Sequence, residues 1–459
     1  MSKKVYRVRA KALDREGRGV VLFNHSMIPV PGLLPGELAA ITLYRRREET
    51  LGRIEELLEP SADRRAEVCP HFGRCGGCQL WHMSDSAQLE YKQAQVSELM
   101  GNACPVPPVL GMDTPTGYRH KIHATFGRDA RGRIIAGIYQ EGSHRLLPVK
   151  ECAIQAPVAN QIINAVRRGM EDLKIQPYDE DRRRGMLRHV LIRVGHKTGQ
   201  LMVVLVVASF KFPQGKALCE RLLRAFPQIR TIVYNLNAQK TSMVLGNEQK
   251  IVYGDGCIED ELCGLTFRIS PKSFYQVNPA QTEVLYKKAM EMAQISETDR
   301  VLDTYCGTGT ISLIAAGHAG EVTGVELSPD AVADAAANAR KNRIENVRFV
   351  CEDATKYMER MAVDFKNKSY YNVVIMDPPR SGSTPSFLKA LTRLAPERVV
   401  YISCNPVTQK RDMEILLRRG YRAVLIQPVD MFPMTAGIEN IVLFKRRTEA
   451  SSEKAFIHI

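Results

Sequence analysis

Apolar and polar positions change rhythm several times along the 459-residue chain. Up to about residue 57, short β-capable runs (YRVRAKAL, GVVLF, MIPVPG, ELAAITLY, TLGRIEELL) are separated by glycine and proline, as in a small barrel. PGLLPGE is a turn-rich connector between two of them. Helical spacing takes over from Ser84 to Met100, SDSAQLEYKQAQVSELM. Between 118 and 265, runs such as KIHATFG, RIIAGIY, HVLIRVG and TIVYNLN come with helices near 154–172 and 215–226, a central α/β unit. From about 270, VLDTY, VTGVEL, VRFVCED, YNVVIMD, VVYIS and AVLIQ alternate with helices near 282–294, 309–316, 329–341, 386–393 and 408–418. That alternation predicts a doubly wound parallel sheet. The expected division is a barrel over 1–60, a cysteine segment with its helix over 61–100, a central α/β domain over 101–268 and a catalytic α/β domain over 269–459.

Charge adds a partner class. The 64 basic and 50 acidic residues give a formal charge of +14, which suits a polyanion. The most apolar run, LMVVLVVASF at 201–210, is shorter than the ~20 residues a membrane helix needs and reads as a buried strand. MSKKVYRVRAK has no apolar export region, so the expectation is a cytoplasmic protein with no membrane partner and reduced cysteines. Arg45, Arg46 and Arg47, and Arg182 to Arg184, read as solvated basic runs.

Reduced cysteines remove the disulfide reading of residues 69–78, CPHFGRCGGC. Cys69, Cys75 and Cys78 leave a four-coordinate site one ligand short, and Cys152 in LLPVKECAI is the candidate fourth. Zinc, a [4Fe–4S] cluster and a C-x-x-C redox pair all remain open on composition alone.

A cofactor turn is clearer. The strand VLD, 301–303, runs into TYCGTGT, where Gly307 and Gly309 let backbone approach a ligand closely. Glu326, twenty-three residues beyond Asp303, ends the next strand, where its carboxylate can accept both ribose hydroxyls. Asp353 follows the third strand, placed to meet an adenine edge. Neither GxGxxG nor a Walker A sequence occurs, so an S-adenosylmethionine site fits better than a dinucleotide or nucleoside triphosphate site.

DPPR, Asp377 to Arg380, follows the fourth strand. Arginine stands where an aromatic residue would stack on a base in exocyclic-amine methylation, which points to another target atom. VVYISCNP sets Cys404 at the mouth of the sheet. Carbon 5 of a pyrimidine is too weak a nucleophile to take a sulfonium methyl unaided. A thiolate bonded to carbon 6 makes it enolate-like, and a base must afterwards remove its proton. Glu439 in AGIENIVLF is the candidate base, while Cys306 and Cys351 read as small packed side chains.

DTYCGTGT, MDPPR, YISCNPVTQKRD, FYQVNPAQ and FPMTAGIENIVL together resemble the bacterial RNA (uracil-5-)-methyltransferases. The barrel and CPHFGRCGGCQLWH make the 23S rRNA type, with an N-terminal TRAM domain and a [4Fe–4S] cluster, the nearest match. The resemblance implies an OB-like TRAM barrel, a central α/β domain and a C-terminal Rossmann-like class I methyltransferase domain. It makes Cys404 the nucleophile and Glu439 the base, and puts Gln276, Tyr305, Glu326 and Asp377 in the cofactor site, Asp377 also close to the target uracil. It implies RNA contact by Arg119 and Lys121, and a [4Fe–4S] cluster on Cys69, Cys75, Cys78 and Cys152 in a structural or RNA-positioning role. The expected substrate is a flipped or unpaired uridine in a 23S rRNA stem-loop, not DNA, met by a monomer. Methylation of tRNA at a position-54-type uridine is one alternative, and a non-catalytic iron–sulfur RNA-binding or assembly factor is another. Two departures stand out: Met434 and Gly437 occupy positions where FPHTxHVE would carry histidines.

Overall fold

The computed structural model describes residues 4–46, 48–66, 69–143, 145–364 and 370–447, so Arg47 of the first basic run lies outside the described residues. Strands Tyr6–Leu13, Gly19–Phe23, Ser26–Val30, Leu38–Arg46 and Glu49–Glu59 form an antiparallel sheet in the order third, second, first, fourth, fifth. Alternate residues, among them Val8, Ala10, Val21, Val30 and Ile41, fill its interior. A Cβ at Gly52 would stand 2.7 Å from Val30, so the fifth strand crosses the third only because it has no side chain there. That crossing closes the barrel.

The central sheet has seven strands, in the order Glu248–Tyr253, Ile229–Leu236, Leu201–Val207, Leu187–Val194, Lys121–Arg128, Ile134–Tyr139, Leu146–Pro148. Every residue of Leu201–Val207 is buried, because both faces of the strand are covered. Helices Pro157–Asp172 and Gly215–Ala225 pack on one face. The other face, through Leu191, Met202, Val204 and Val233, joins a core shared with Leu285, Val301 and Val400 of the last domain. The hairpin Ile258–Leu262 and Leu265–Ile269 packs into that same core, so the expected boundary after residue 268 falls inside a strand.

In the last domain, strands Arg300–Thr304, Glu321–Glu326, Val347–Cys351, Val373–Met376, Arg398–Ser403, Tyr421–Val429 and Glu439–Arg446 are first to seventh in chain order. They lie side by side as third, second, first, fourth, fifth, seventh, sixth. The first five run parallel; the seventh is antiparallel to both its neighbours. Four helices here begin alike. Asn278, Ser328, Thr384 and Asn405 each accept a backbone N–H, and each is followed by proline at the first helical position. The helices so started are Pro279–Ala293, Pro329–Lys341, Pro385–Leu394 and Pro406–Arg418. The α/β class, the Rossmann-like core and the accessory barrel are as expected. Among the described residues no helix is long and apolar enough to cross a membrane.

The helix Asp85–Met100, capped by Ser84, lies across the last domain. Its buried residues Gln88, Lys92, Val96 and Met100 recur every fourth position and form one row.

Candidate active site

The first strand ends in a tight reversal. Tyr305, Gly307 and Gly309 have φ of 66°, 55° and 81°, which carries the chain from strand into the helix Thr310–Ala316. The two glycines do different work. A Cβ at Gly309 would stand 2.9 Å from the Phe349 ring, whereas one at Gly307 would meet nothing within 4 Å. Gly307 therefore borders open space. Its N–H donates to Glu326 Oε2 at 3.1 Å, and Glu326 Oε1 accepts the Ser328 N–H at 2.9 Å, so the carboxylate is held at the mouth of the second strand. Asp353 Oδ1 accepts the Lys356 N–H at 3.0 Å, which fixes it at the start of the helix Ala354–Asp364. Tyr305 packs on Phe387 with ring centroids 5.7 Å apart.

Gln276 lies half-buried in a loop gripped from two domains. Arg193 of the central sheet donates to the carbonyls of Pro271 and Ser273, and the His120 N–H donates to Val277 O at 2.8 Å. From the catalytic side, Asp334 accepts the Ser273 hydroxyl at 3.0 Å. An open glycine edge, a fixed carboxylate on the second strand and a second carboxylate past the third suit the adenosine of S-adenosylmethionine. Beneath them Asp303 is fully buried, bonded to Ser312 Oγ at 2.5 Å, with Oδ1 unpartnered; burial pushes its carboxyl up to about 7.

The reacting groups come from the ends of the fourth, fifth and seventh strands. Ser403 pairs with Asn440, so Cys404 and Glu439 emerge next to each other from antiparallel neighbours. Asp377 follows the adjoining fourth strand. Glu439 is 3% exposed and its Oε2 has no partner. Burial first, and Asp377 second, raise its carboxyl well above the usual range, while Arg380 opposes them. Burial pushes Asp377 up to about 7. The Cys404 thiol is pushed up to about 11 by burial and by Glu439, again with Arg380 pulling the other way. Arg380 thus favours the charged form of both Cys404 and Glu439.

Residues just beyond Cys404 position Arg380 in turn. The Arg380 carbonyl accepts from Asn405 Nδ2 at 3.0 Å and Thr408 Oγ1 at 3.2 Å. Asp412 accepts the Ser383 N–H and the Tyr401 hydroxyl, both at 2.8 Å. The turn after DPPR is therefore clamped to the helix after Cys404. Sequence reading named neither Arg380 nor Asp303 as a site residue, although both lie within motifs it singled out. Tyr286, buried on the helix Pro279–Ala293, is a third omission. Burial and the nearby Asp377, Asp303 and Glu439 raise its hydroxyl, and no motif singled it out.

A cleft of about 1500 Å³ runs from Cys404 and Arg380 to the barrel, where Arg15, Arg18 and Arg46 line it together with Arg64 just beyond the fifth strand. Beside it, the segment Tyr118–Lys121 bridges two functional loops: the Tyr118 hydroxyl donates to Pro433 O at 2.9 Å, and His120 holds Val277. Arg119 and Lys121 alternate with those anchors. Lys121 pairs across the sheet with Arg193, and burial with the charges of Arg193 and Arg119 lowers it to about 8.

The iron–sulfur expectation is corrected. Cys69, Cys75, Cys78 and Cys152 are free and lie within electrostatic reach of one another. Among the described residues, however, no group of three or more His, Cys, Asp or Glu side chains is arranged to hold a metal ion. Cys69, Cys78 and Cys152 pack against Trp81, Tyr118, Ile154 and Met434, and burial pushes the Cys78 thiol up to about 12 and raises that of Cys152. His82 packs tilted against Phe72, fully buried, and burial lowers it to about 4.

The sheet order and the glycine turn with its spaced carboxylates define a class I S-adenosylmethionine-dependent methyltransferase. Residues 223–447 match the family described as tRNA (uracil-5-)-methyltransferase. An uncharacterized RNA methyltransferase of Halalkalibacterium halodurans is 41% identical over 447 residues, covering 96% of this chain and 97% of the relative. One from Staphylococcus aureus is 38% identical over 439 residues, 94% of this chain and 96% of the relative. The chain belongs to the S-adenosylmethionine-dependent RNA (uracil-5-)-methyltransferases. Among solved structures, the tRNA (uracil-54, C5)-methyltransferase of Pyrococcus abyssi with S-adenosyl-L-homocysteine superposes with a TM-score of 0.76 at 25% identity, over 95% of this chain and 99% of that one. These matches overturn the 23S rRNA expectation. The barrel and the cysteine segment suggested it, but both the matching family and the full-length structural neighbour are tRNA enzymes.

Proposed function

We propose that this protein methylates carbon 5 of a uridine in tRNA, at a position equivalent to 54, using S-adenosylmethionine. The observation that carries the chemistry is the register that sets Cys404 beside Glu439 at the head of a cleft lined by arginines. The full-length similarity to an enzyme named for uracil 54 of tRNA supports the substrate.

Gln276, Tyr305, Gly307, Gly309, Glu326 and Asp353 would hold the cofactor, which supplies an electrophilic methyl group when bound. Asp377, at the next strand end, would face both it and the uracil. A target inside a stacked loop has to be turned out to reach Cys404. Arg119 and Lys121 would meet RNA phosphate beside the two loops they adjoin. Bonding of the Cys404 sulfur to carbon 6 moves electron density onto carbon 5, where the methyl is received. Glu439, buried and raised, is a strong enough base to take the carbon 5 proton; the double bond re-forms and the thiolate leaves. Arg380 would favour thiolate in the first step and carboxylate in the last.

The test is transfer of labelled methyl to unmodified tRNA by wild type and Cys404→Ala. The variant is expected to bind S-adenosyl-L-homocysteine normally and transfer no label. Undiminished transfer without the sulfur would end this reading.

A further inference from the structure

Lys92 is a charged residue placed where charge is expensive. It is 0% exposed, in the middle of the helix Asp85–Met100, with Nζ 2.6 Å from Asp430 Oδ1 and 3.1 Å from Phe432 O. Burying an ion pair is at best neutral against apolar packing, so the pair's contribution is sought in what it orients. What it orients is the stretch 430–438, which leaves the sixth strand and delivers Glu439 at the start of the seventh.

That stretch is held from every side by buried polar groups. Asn278 Nδ2 donates to Met431 O and Gln281 Nε2 to Asp430 O, each at 3.0 Å, from the start of the helix beside the cofactor loop. One turn before Lys92, Gln88 Oε1 accepts the Met434 N–H at 3.0 Å, and Arg65 donates to Met434 Sδ at 2.7 Å. Met434 has φ of 67°, a conformation unfavourable for any residue with a side chain, and is 1% exposed. Such a backbone persists only where its surroundings over-determine it. Lys92 supplies the charged anchor at the near end of the stretch and Gln88 the neutral one at its middle.

We propose that Lys92 is a positioning residue for the last step of the reaction, fixing through Asp430 and the Phe432 carbonyl the segment that brings Glu439 to carbon 5. The proposal rests on the uridine reading above. In that step Glu439 takes the carbon 5 proton, the electron pair of the C–H bond becomes the carbon 5–carbon 6 double bond, and the carbon 6–sulfur bond breaks with its pair on Cys404. Forming the sulfur bond and receiving the methyl do not need Glu439. A displaced base therefore leaves methylated uracil bound to Cys404.

The variants are Lys92→Met, which keeps length and loses charge, and Lys92→Met/Asp430→Asn, which also removes the carboxyl left unpaired. Each is run with labelled methyl donor and tRNA, and label in the covalent protein–RNA band is compared with label in released RNA on denaturing gels. Both variants are expected to melt as folded proteins and bind S-adenosyl-L-homocysteine as wild type does. They should form labelled adduct normally and release it about 100-fold more slowly, the scale of a misplaced catalytic group. Glu439→Gln should give the same band. Adduct and released product falling together, or no excess adduct in either variant while wild type transfers label, overturns the assignment of Lys92 alone. Absence of label on RNA with wild type overturns the uridine reading and this assignment with it.

Discussion

Raising the pH on the RNA-free enzyme titrates Cys404, and its rate of alkylation reports the result. The thiol is displaced from an ordinary value of 9.0 to about 11. Two units make thiolate about 100-fold scarcer at neutral pH. The more basic sulfur is intrinsically more nucleophilic, recovering roughly eightfold, so alkylation at pH 7.4 should be roughly tenfold slower than for an ordinary thiol. Partial burial slows it further without changing the slope. Between pH 7 and 10 the rate should climb about tenfold per unit, with no plateau until pH approaches 11. The assay is iodoacetamide labelling followed by mass spectrometry of the peptide carrying Cys404, with exposed Cys351 as a reference for the reagent. A plateau at or below pH 9 would refute the claim that burial and Glu439 keep the nucleophile protonated until substrate arrives.

Arg380→Ala should slow alkylation and methyl transfer together, alkylation roughly threefold if one unit of thiol acidity is lost, and a variant that speeds alkylation would reverse its assigned role. Asp303, raised from 3.8 to about 7 in the folded state, contributes stability that is full below its unfolded value and lost as pH rises through about 7. From pH 5 to 8, wild type should lose roughly 2 to 3 kcal/mol relative to Asp303→Asn. Paired urea melts at the two pH values measure the difference, and parallel curves would contradict the assignment. Gly309→Ala should cost roughly 1–3 kcal/mol, because its Cβ meets Phe349 at 2.9 Å. Gly307→Ala should instead weaken S-adenosyl-L-homocysteine binding with a smaller loss of stability. Calorimetric affinities beside melting curves separate the two, and equal effects at both positions would remove Gly307 from the cofactor edge.

The catalytic sheet was legible because each of its signals is local. The buried strands are apolar runs, and helices open on Asn-Pro, Ser-Pro or Thr-Pro. Cys404, Asp377 and Glu326 sit where strand patterns stop. That Cys404 and Glu439 share one end of the sheet depends on an antiparallel seventh strand slotted between fifth and sixth, and no local spacing encodes it. Gln88 and Lys92 escaped notice for the opposite reason: they are polar residues on the buried face of a helix, where periodicity expects apolar ones. At Cys69, Cys75, Cys78 and Cys152, spacing drew the four thiols together on paper and the fold does gather them. A packed nest of cysteines has the same spacing as a ligand set, so sequence alone could not separate the two. The choice between rRNA and tRNA was likewise invisible, since carbon 5 chemistry uses the same residues on either polymer.

Labelled-methyl transfer to unmodified tRNA and unmodified 23S rRNA in parallel, with the modified nucleotide identified and located, decides between the two substrates and fixes the target atom. The expected product is 5-methyluridine at a single tRNA site equivalent to position 54, with none in 23S rRNA. Label confined to 23S rRNA, or label on any atom other than carbon 5, would contradict it.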